Sequence, residues 1–261
     1  ELVVNVIAAA RGHTEFALAN VSGSNLTNLC VGFGICGLIH AVPIARKRFG
    51  IDLVIMSLAA CVVLVSFLIG ALSLSMWALV PFVVMLAYYL HSLFKRRSHT
   101  HDDEEQIPSF AFWKAGALFL LGGIFLYAGG EAVYQTAVII AERLDISETI
   151  IGLTVVACGT SIPDVMASIL ATRKHEYSIA VGNLVGSNIS NILVVLGGTL
   201  IASGQSLAST WGVVGDYIAV CSVSILFTVV ALASQRLTRL LSLVMLVAFV
   251  GYYVYRVSSA L

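Results

Sequence analysis

Residues 1–34 of this chain recur at 164–197, without a gap, at a constant offset of 163. The copies share Ala8/Ala171, Ala17/Ala180, Asn20/Asn183, Gly23/Gly186, Ser24/Ser187, Asn25/Asn188, Asn28/Asn191, Val31/Val194 and Gly34/Gly197, with Glu1 opposite Asp164. A carboxylate and a set of amides therefore recur together, and the chain must fold as two related halves. A polar motif duplicated within apolar helices is the sequence mark of a secondary transporter, whose site lies where the repeats meet near the bilayer midplane.

The setting is a membrane. The sequence is 59% hydrophobic and 11% charged, with mean hydropathy +0.98, against roughly 45–50% apolar and 25% charged in soluble domains. Apolar runs near the length of about 20 residues that a spanning helix needs cover 16–39, 51–70, 75–94, 114–141, 150–172, 178–201, 213–234 and 240–257. These predict eight spans plus a helical stub at 1–10. A net charge of zero argues neither for nor against nucleic acid, but no stretch resembles a nucleic-acid module, and that class of partner is set aside. Cys30, Cys36, Cys61, Cys158 and Cys221 all fall inside predicted spans, without disulfide or zinc spacing, and read as reduced packing residues. The chain opens on a carboxylate and part of a helix rather than on a cleavable signal sequence, so its start reads as cut.

The spans carrying Glu1 and Asp164 are five crossings apart, which gives them opposite orientations. Lys and Arg accumulate on cytoplasmic loops, and assigning alternate sides places eleven on one side (Arg46, Lys47, Arg48, Lys95, Arg96, Arg97, Lys114, Arg173, Lys174, Arg236, Arg239) against three on the other (Arg11, Arg143, Arg256). The linker at 95–113 is then cytoplasmic and the C-terminus faces outward. The predicted organisation is an inverted repeat, 1–94 and 114–261. His99, His101 and Asp102 to Glu105 in the linker offer groups for a divalent ion, but a solvated connector is the preferred reading.

In the second copy the motif starts with Gly159-Thr160-Ser161-Ile162-Pro163-Asp164, mid-span. Pro163 has no N–H for the carbonyl of Gly159, which predicts a broken or kinked helix with the Gly159 and Thr160 carbonyls free to act as ligands. Asp164, an ionisable group at the centre of a span, is a functional candidate by default. Asn183, Ser187 and Asn191 share one helical face by their spacing of four, as do Asn20, Ser24 and Asn28. Asn25 and Asn188 lie off that face and are expected to cap backbone. Gly182, Gly186 and Gly197 are expected to let neighbouring helices approach. Every group in the motif offers oxygen, and neither thiolate nor imidazole joins them. Such a set suits hard cations, with Ca²⁺ and Na⁺ the natural pair. Glu131 reads as structural, paired with a neighbour, and Asp52 and Asp216 as interfacial residues at span edges.

These residues resemble the sodium/calcium exchanger branch of the cation/calcium antiporter superfamily, of prokaryotic type. GTSIPD at 159–164 with GNLVGSNISN at 182–191 resembles that family's second alpha repeat (159–197 here), and ELVVN with ANVSGSNLTN at 19–28 resembles its first (1–34 here). The resemblance implies an all-α integral membrane protein of ten helices in two inverted repeats of five, with the first helix and half of the second lying outside this sequence. It implies a Na⁺/Ca²⁺ antiporter of the plasma (inner) membrane, without cofactor or catalytic residue, in which Glu1, Asp164 and Thr160 hold Ca²⁺. Ser24, Asn28, Ser161, Ser187 and Asn191 hold Na⁺, supported by Gly159, Pro163, Asn20, Asn183, Asn25 and Asn188. Asn191 stands where potassium-dependent relatives carry Asp, which argues against potassium co-transport. A proton/calcium antiporter is the nearest rival, followed by a non-transporting membrane scaffold. An intramembrane aspartyl protease, which needs two aspartates on one water, fits poorly with carboxylates flanked by amides.

Overall fold

The computed structural model describes residues 1–69, 79–97, 112–204 and 211–259. These form α1 (Leu2–Ala10), α2 (14–39), α3 (Arg46–Leu68), α4 (Leu79–Arg97), α5 (Phe112–Leu144), α6 (Glu148–Arg173), α7 (Tyr177–Ser203), α8 (Trp211–Ser234) and α9 (Arg239–Ser258). Within the described residues all eight predicted apolar runs are helical, and the stub is α1. Among the described residues, α3, α6, α7, α9 and the stretches Leu120–Leu144 of α5 and Gly212–Ser234 of α8 are long and apolar enough to cross a bilayer. The chain is a multi-pass membrane protein. The linker's His99, His101 and acidic run lie outside the described residues.

The duplication extends to backbone conformation. The turn entering α2 has Gly12 at φ 89°, and the turn entering α7 has His175, its counterpart, at φ 63°. Each hairpin therefore needs one left-handed residue, and the second copy tolerates it without glycine. The next residues, His13 and Glu176, take up φ −85° and ψ 57° and φ −86° and ψ 57°. α1–α2 and α6–α7 are thus the same hairpin built twice.

The halves interlock. α1 runs against the last turns of α7, α2 crosses the first turns of α6, and α3 packs along α8. Where α2 crosses α6 the backbones nearly touch: a Cβ added at Gly23 would lie 2.2 Å from the Leu153 carbonyl oxygen, and one at Gly152 would lie 2.7 Å from that of Phe16. The expectation for Gly182, Gly186 and Gly197 is corrected here. The first two face Phe49 and the Tyr89 hydroxyl at 3.6 and 3.7 Å, and Gly197 has nothing within 4 Å. Close approach belongs to the crossing between halves, which spacing within one repeat does not reveal.

One apolar cluster joins α2, α3, α7 and α8 around Phe33, Leu53, Met56, Leu184 and Tyr217. A smaller one joins α1, α2, α5 and α6 around Phe16 and Tyr134. At one end of the bundle Val42 and Pro43 pair antiparallel with Leu237 and Arg236, and the His40 and His175 rings lie 4.7 Å apart. At the opposite end Arg11 meets Glu131 at 2.7 Å, and His13 contacts Glu148. These end-to-end groupings match the alternation of loops read from the charges. Glu131 pairs as expected, and its hydrogen bond raises the pKa of the Arg11 guanidinium.

Asp52 and Asp216 are both buried in ion pairs between helices. Asp52, 6% exposed, takes both arms of Arg96, at 2.6 and 2.9 Å. Asp216 is fully buried and accepts from Arg256 at 2.7 and 3.2 Å and from the Tyr252 hydroxyl at 2.5 Å. One pair ties α3 to α4 and the other ties α8 to α9, so each half carries its own brace. All five cysteines are free; the Cys61 and Cys221 sulfurs lie 3.2 Å apart where α3 meets α8.

Candidate functional site

Among the described residues, three of the helices depart from regular α geometry, two of them inside the duplicated stretch and the third just upstream of Gly159. α2 widens into a π-helical turn at Thr27–Gly32, α6 at Gly152–Val156 and α7 at Asn191–Leu196. Such turns concentrate at functional sites because they re-aim side chains and loosen backbone hydrogen bonding. Asn28 and Asn191, equivalent by duplication, sit at the start of the turns in α2 and α7. The sequence reading missed these turns; the only trace is an Asn within the first two residues of two of them.

Pro163 does not break α6. The α-helix runs unbroken from Ala157 to Arg173 through the proline, with the widened turn just upstream. Only the Gly159 carbonyl loses its partner, since Pro163 lacks an N–H. The Thr160 carbonyl is not released by a chain break, and the expectation of two freed carbonyls is corrected accordingly.

Glu1 lies at the head of α1, where its Oε1 accepts from the hydroxyls of Ser161, at 3.1 Å, and Thr160, at 3.4 Å. The Ser24 hydroxyl lies beside the same carboxylate. Asp164 is three residues beyond Ser161 on α6, half-buried. Residues from the two halves therefore meet: the Glu1 carboxylate of the first is held by the Thr-Ser pair of the second. α1 also runs against the widened turn of α7 that begins at Asn191, and α6 runs against the turn of α2 that holds Asn28.

A second tier fixes this arrangement. The Asn20 amide donates to Asn5 Oδ1 at 3.2 Å, and the Asn183 amide donates to the Asp164 carbonyl at 2.9 Å and to Ser168 Oγ at 3.0 Å. Asn5 and Ser168 are themselves duplication partners, so the brace between the two helices of each hairpin is repeated. Asn5 and Ser168 went unnoticed in the sequence because their residue types differ. Asn25 and Asn188 donate to the carbonyls four residues back, Val21 and Leu184. They bond to continuous helix rather than to a broken end.

Buried polar atoms without partners gather here. Among the described residues, Asn20 Oδ1, Ser24 Oγ, Asn25 Oδ1, both side-chain polar atoms of Asn28, Asn188 Oδ1 and Asn191 Nδ2 are buried without a hydrogen bond, as is Thr172 Oγ1 in the second copy; outside the duplicated stretches only Glu131 Oε2 shares that condition. Buried polar groups are normally satisfied, and leaving one unmade costs about 1–3 kcal/mol. Oxygens held in that state beside a carboxylate suit a cation. No group of three His, Cys, Asp or Glu side chains converges among the described residues, so hydroxyls and amides would complete any shell.

The family model described as sodium/calcium exchanger protein matches residues 1–95 and 114–258. The chain belongs to that family. It is 32% identical over 263 residues to the putative antiporter CaxA of Alkalimonas amylolytica, covering 97% of this chain and 82% of the relative. Two solved structures share its fold. One described as the H⁺/Ca²⁺ exchanger CAX has TM-score 0.79 and 17% identity, covering 96% of this chain and 69% of that one. The sodium-calcium exchanger NCX_Mj has TM-score 0.70 and 22% identity, covering 96% and 80%. The fold is therefore the all-α, ten-helix exchanger fold of two inverted repeats that the resemblance implied.

Proposed function

We propose that this family member is a secondary antiporter exchanging Na⁺ for Ca²⁺ at one oxygen-lined site between its halves. The observation that carries the reading is the contact of Glu1 with Thr160 and Ser161 amid the unsatisfied buried oxygens of the duplicated asparagines and Ser24. Two carboxylates, Glu1 and Asp164, balance one Ca²⁺, with Thr160 beside them, while Ca²⁺ takes six to eight oxygens. Ser24, Asn28, Ser161, Ser187 and Asn191 supply hydroxyls and amides that divide among Na⁺ ions when Ca²⁺ leaves. Because both cargoes draw on shared oxygens, binding one excludes the other, which is what couples the fluxes. The inverted halves give the site a path to each face by rocking of one set of helices against the other. In this reading the protein sits in the plasma (inner) membrane, and the excess of basic residues argues for a cytoplasmic 95–113 linker with the C-terminus outside.

A proton-coupled reading has its own support, since the H⁺/Ca²⁺ exchanger shares the fold at the higher TM-score of 0.79. Protons would then replace Na⁺ on Glu1 and Asp164. The test is ⁴⁵Ca²⁺ uptake into proteoliposomes of the full-length protein, driven by a sodium gradient or by a proton gradient, with Asp164→Asn alongside. Sodium-dependent uptake lost in the variant is expected. Uptake driven by protons alone assigns the coupling to the rival, and none under either gradient overturns antiport of Ca²⁺.

A further inference from the structure

Far from the ion site, a cavity of about 630 Å³ opens between α3, α4 and α8. Its α3 wall is Arg46, Gly50, Ile51, Val54, Ile55 and Leu58, a stripe of one helical face about 18 Å long at 1.5 Å per residue. That matches one leaflet of a hydrocarbon core about 30 Å thick. Ile51, Val54 and Leu58 are 42–52% exposed, as are Val84 and Tyr88 on α4 at 60% and 56%. The groove is apolar along its length and cationic at one end. Glycine at position 50 leaves its floor without a side chain, and an added Cβ would meet Leu232 Cδ2 at 3.6 Å and Arg46 Cγ at 3.8 Å, ordinary contact distances.

Among the described residues Arg46 at the cationic end has no acidic partner. α3 begins Arg46-Lys47-Arg48 and has no acidic residue in its first turn, although the positive end of the helix dipole disfavours cations there. The four ion pairs among the described residues leave Arg46 out. Arg48 instead stacks on Phe49 at 5.5 Å. A guanidinium at the mouth of a leaflet-deep apolar groove complements a ligand with a phosphate at one end and a hydrocarbon chain behind it. We infer that this groove is a binding site for one anionic phospholipid, its acyl chain along Gly50 to Leu58 and its phosphate on Arg46. Basic pockets between membrane helices select anionic headgroups in this way, and the Tyr88 ring, amphipathic, stands in the same wall.

The inference is independent of which cation drives exchange. The experiment measures lipid retention by native mass spectrometry and the thermal unfolding midpoint of the full-length protein in detergent, titrated with phosphatidylglycerol, phosphatidylcholine or inorganic phosphate. Wild type should retain one phosphatidylglycerol and gain stability with it, preferring it to phosphatidylcholine. Arg46→Ala should bind it about tenfold more weakly, the loss of one charge-assisted contact. Gly50→Leu fills the floor at ordinary contact distance, keeps the charge, and should lose the lipid while unfolding at or above the wild-type temperature without it. Equal retention by all three proteins, indifference between the two lipids, or an equal shift from inorganic phosphate alone would each overturn the site.

Discussion

Asp216 illustrates how far a single residue escapes a linear reading. Its place near the start of an apolar run says nothing of its partners: it is fully buried against Arg256 and Tyr252, residues on another helix that nothing in local spacing connects to it. The same holds for Asp52 and Arg96. Glu1, Asp164 and the asparagines were legible for the opposite reason: polar groups within apolar runs are costly, and duplication at a fixed offset marks them as a set. Removing one member of a buried charge pair strands the other, so Asp216→Ala should destabilise the protein by about 3–5 kcal/mol. Adding Arg256→Met to it should recover most of that loss, because an apolar replacement of both partners leaves no buried charge. Thermal unfolding in detergent checks both, and an unaltered midpoint in the single variant would show the pair to be dispensable.

Among the elements, boundaries followed from hydropathy but internal geometry did not. The eight runs were found to within a few residues, since their length and apolar content leave little alternative. The widened turns in α2, α6 and α7 were invisible, and Pro163 misled as to a chain break, because whether a proline interrupts a helix depends on what the neighbouring turns and helices absorb. Glycine roles divided likewise. Gly23 faces the Leu153 carbonyl oxygen at 2.2 Å from an added Cβ, whereas its duplicate Gly186 meets the Tyr89 hydroxyl at 3.7 Å. Gly23→Ala must therefore push two backbones apart, at a cost of about 1–3 kcal/mol, typical of overpacking. Gly186→Ala should be neutral or slightly stabilising, since alanine is the better helix former. Unfolding midpoints distinguish the two, and equal effects would refute the assigned crossing.

At the level of the whole molecule, the inverted repeat is both the fold and the functional logic. Sequence offset gave the pairing of halves, and the odd number of crossings between the copies gave their opposite orientation. What neither conveyed is that the halves interlock, α1 on α7 and α2 on α6, so that Glu1 of one half is held by Thr160 and Ser161 of the other. A shared site of this kind requires that Na⁺ and Ca²⁺ compete. The most direct measurement is equilibrium ⁴⁵Ca²⁺ binding to the purified full-length protein while Na⁺ is raised at constant ionic strength, with K⁺ as the balancing cation. The account predicts one saturable Ca²⁺ site per chain, displaced by Na⁺ with a dependence steeper than first order and absent in Asp164→Asn. Ca²⁺ that stays bound at saturating Na⁺ would contradict it.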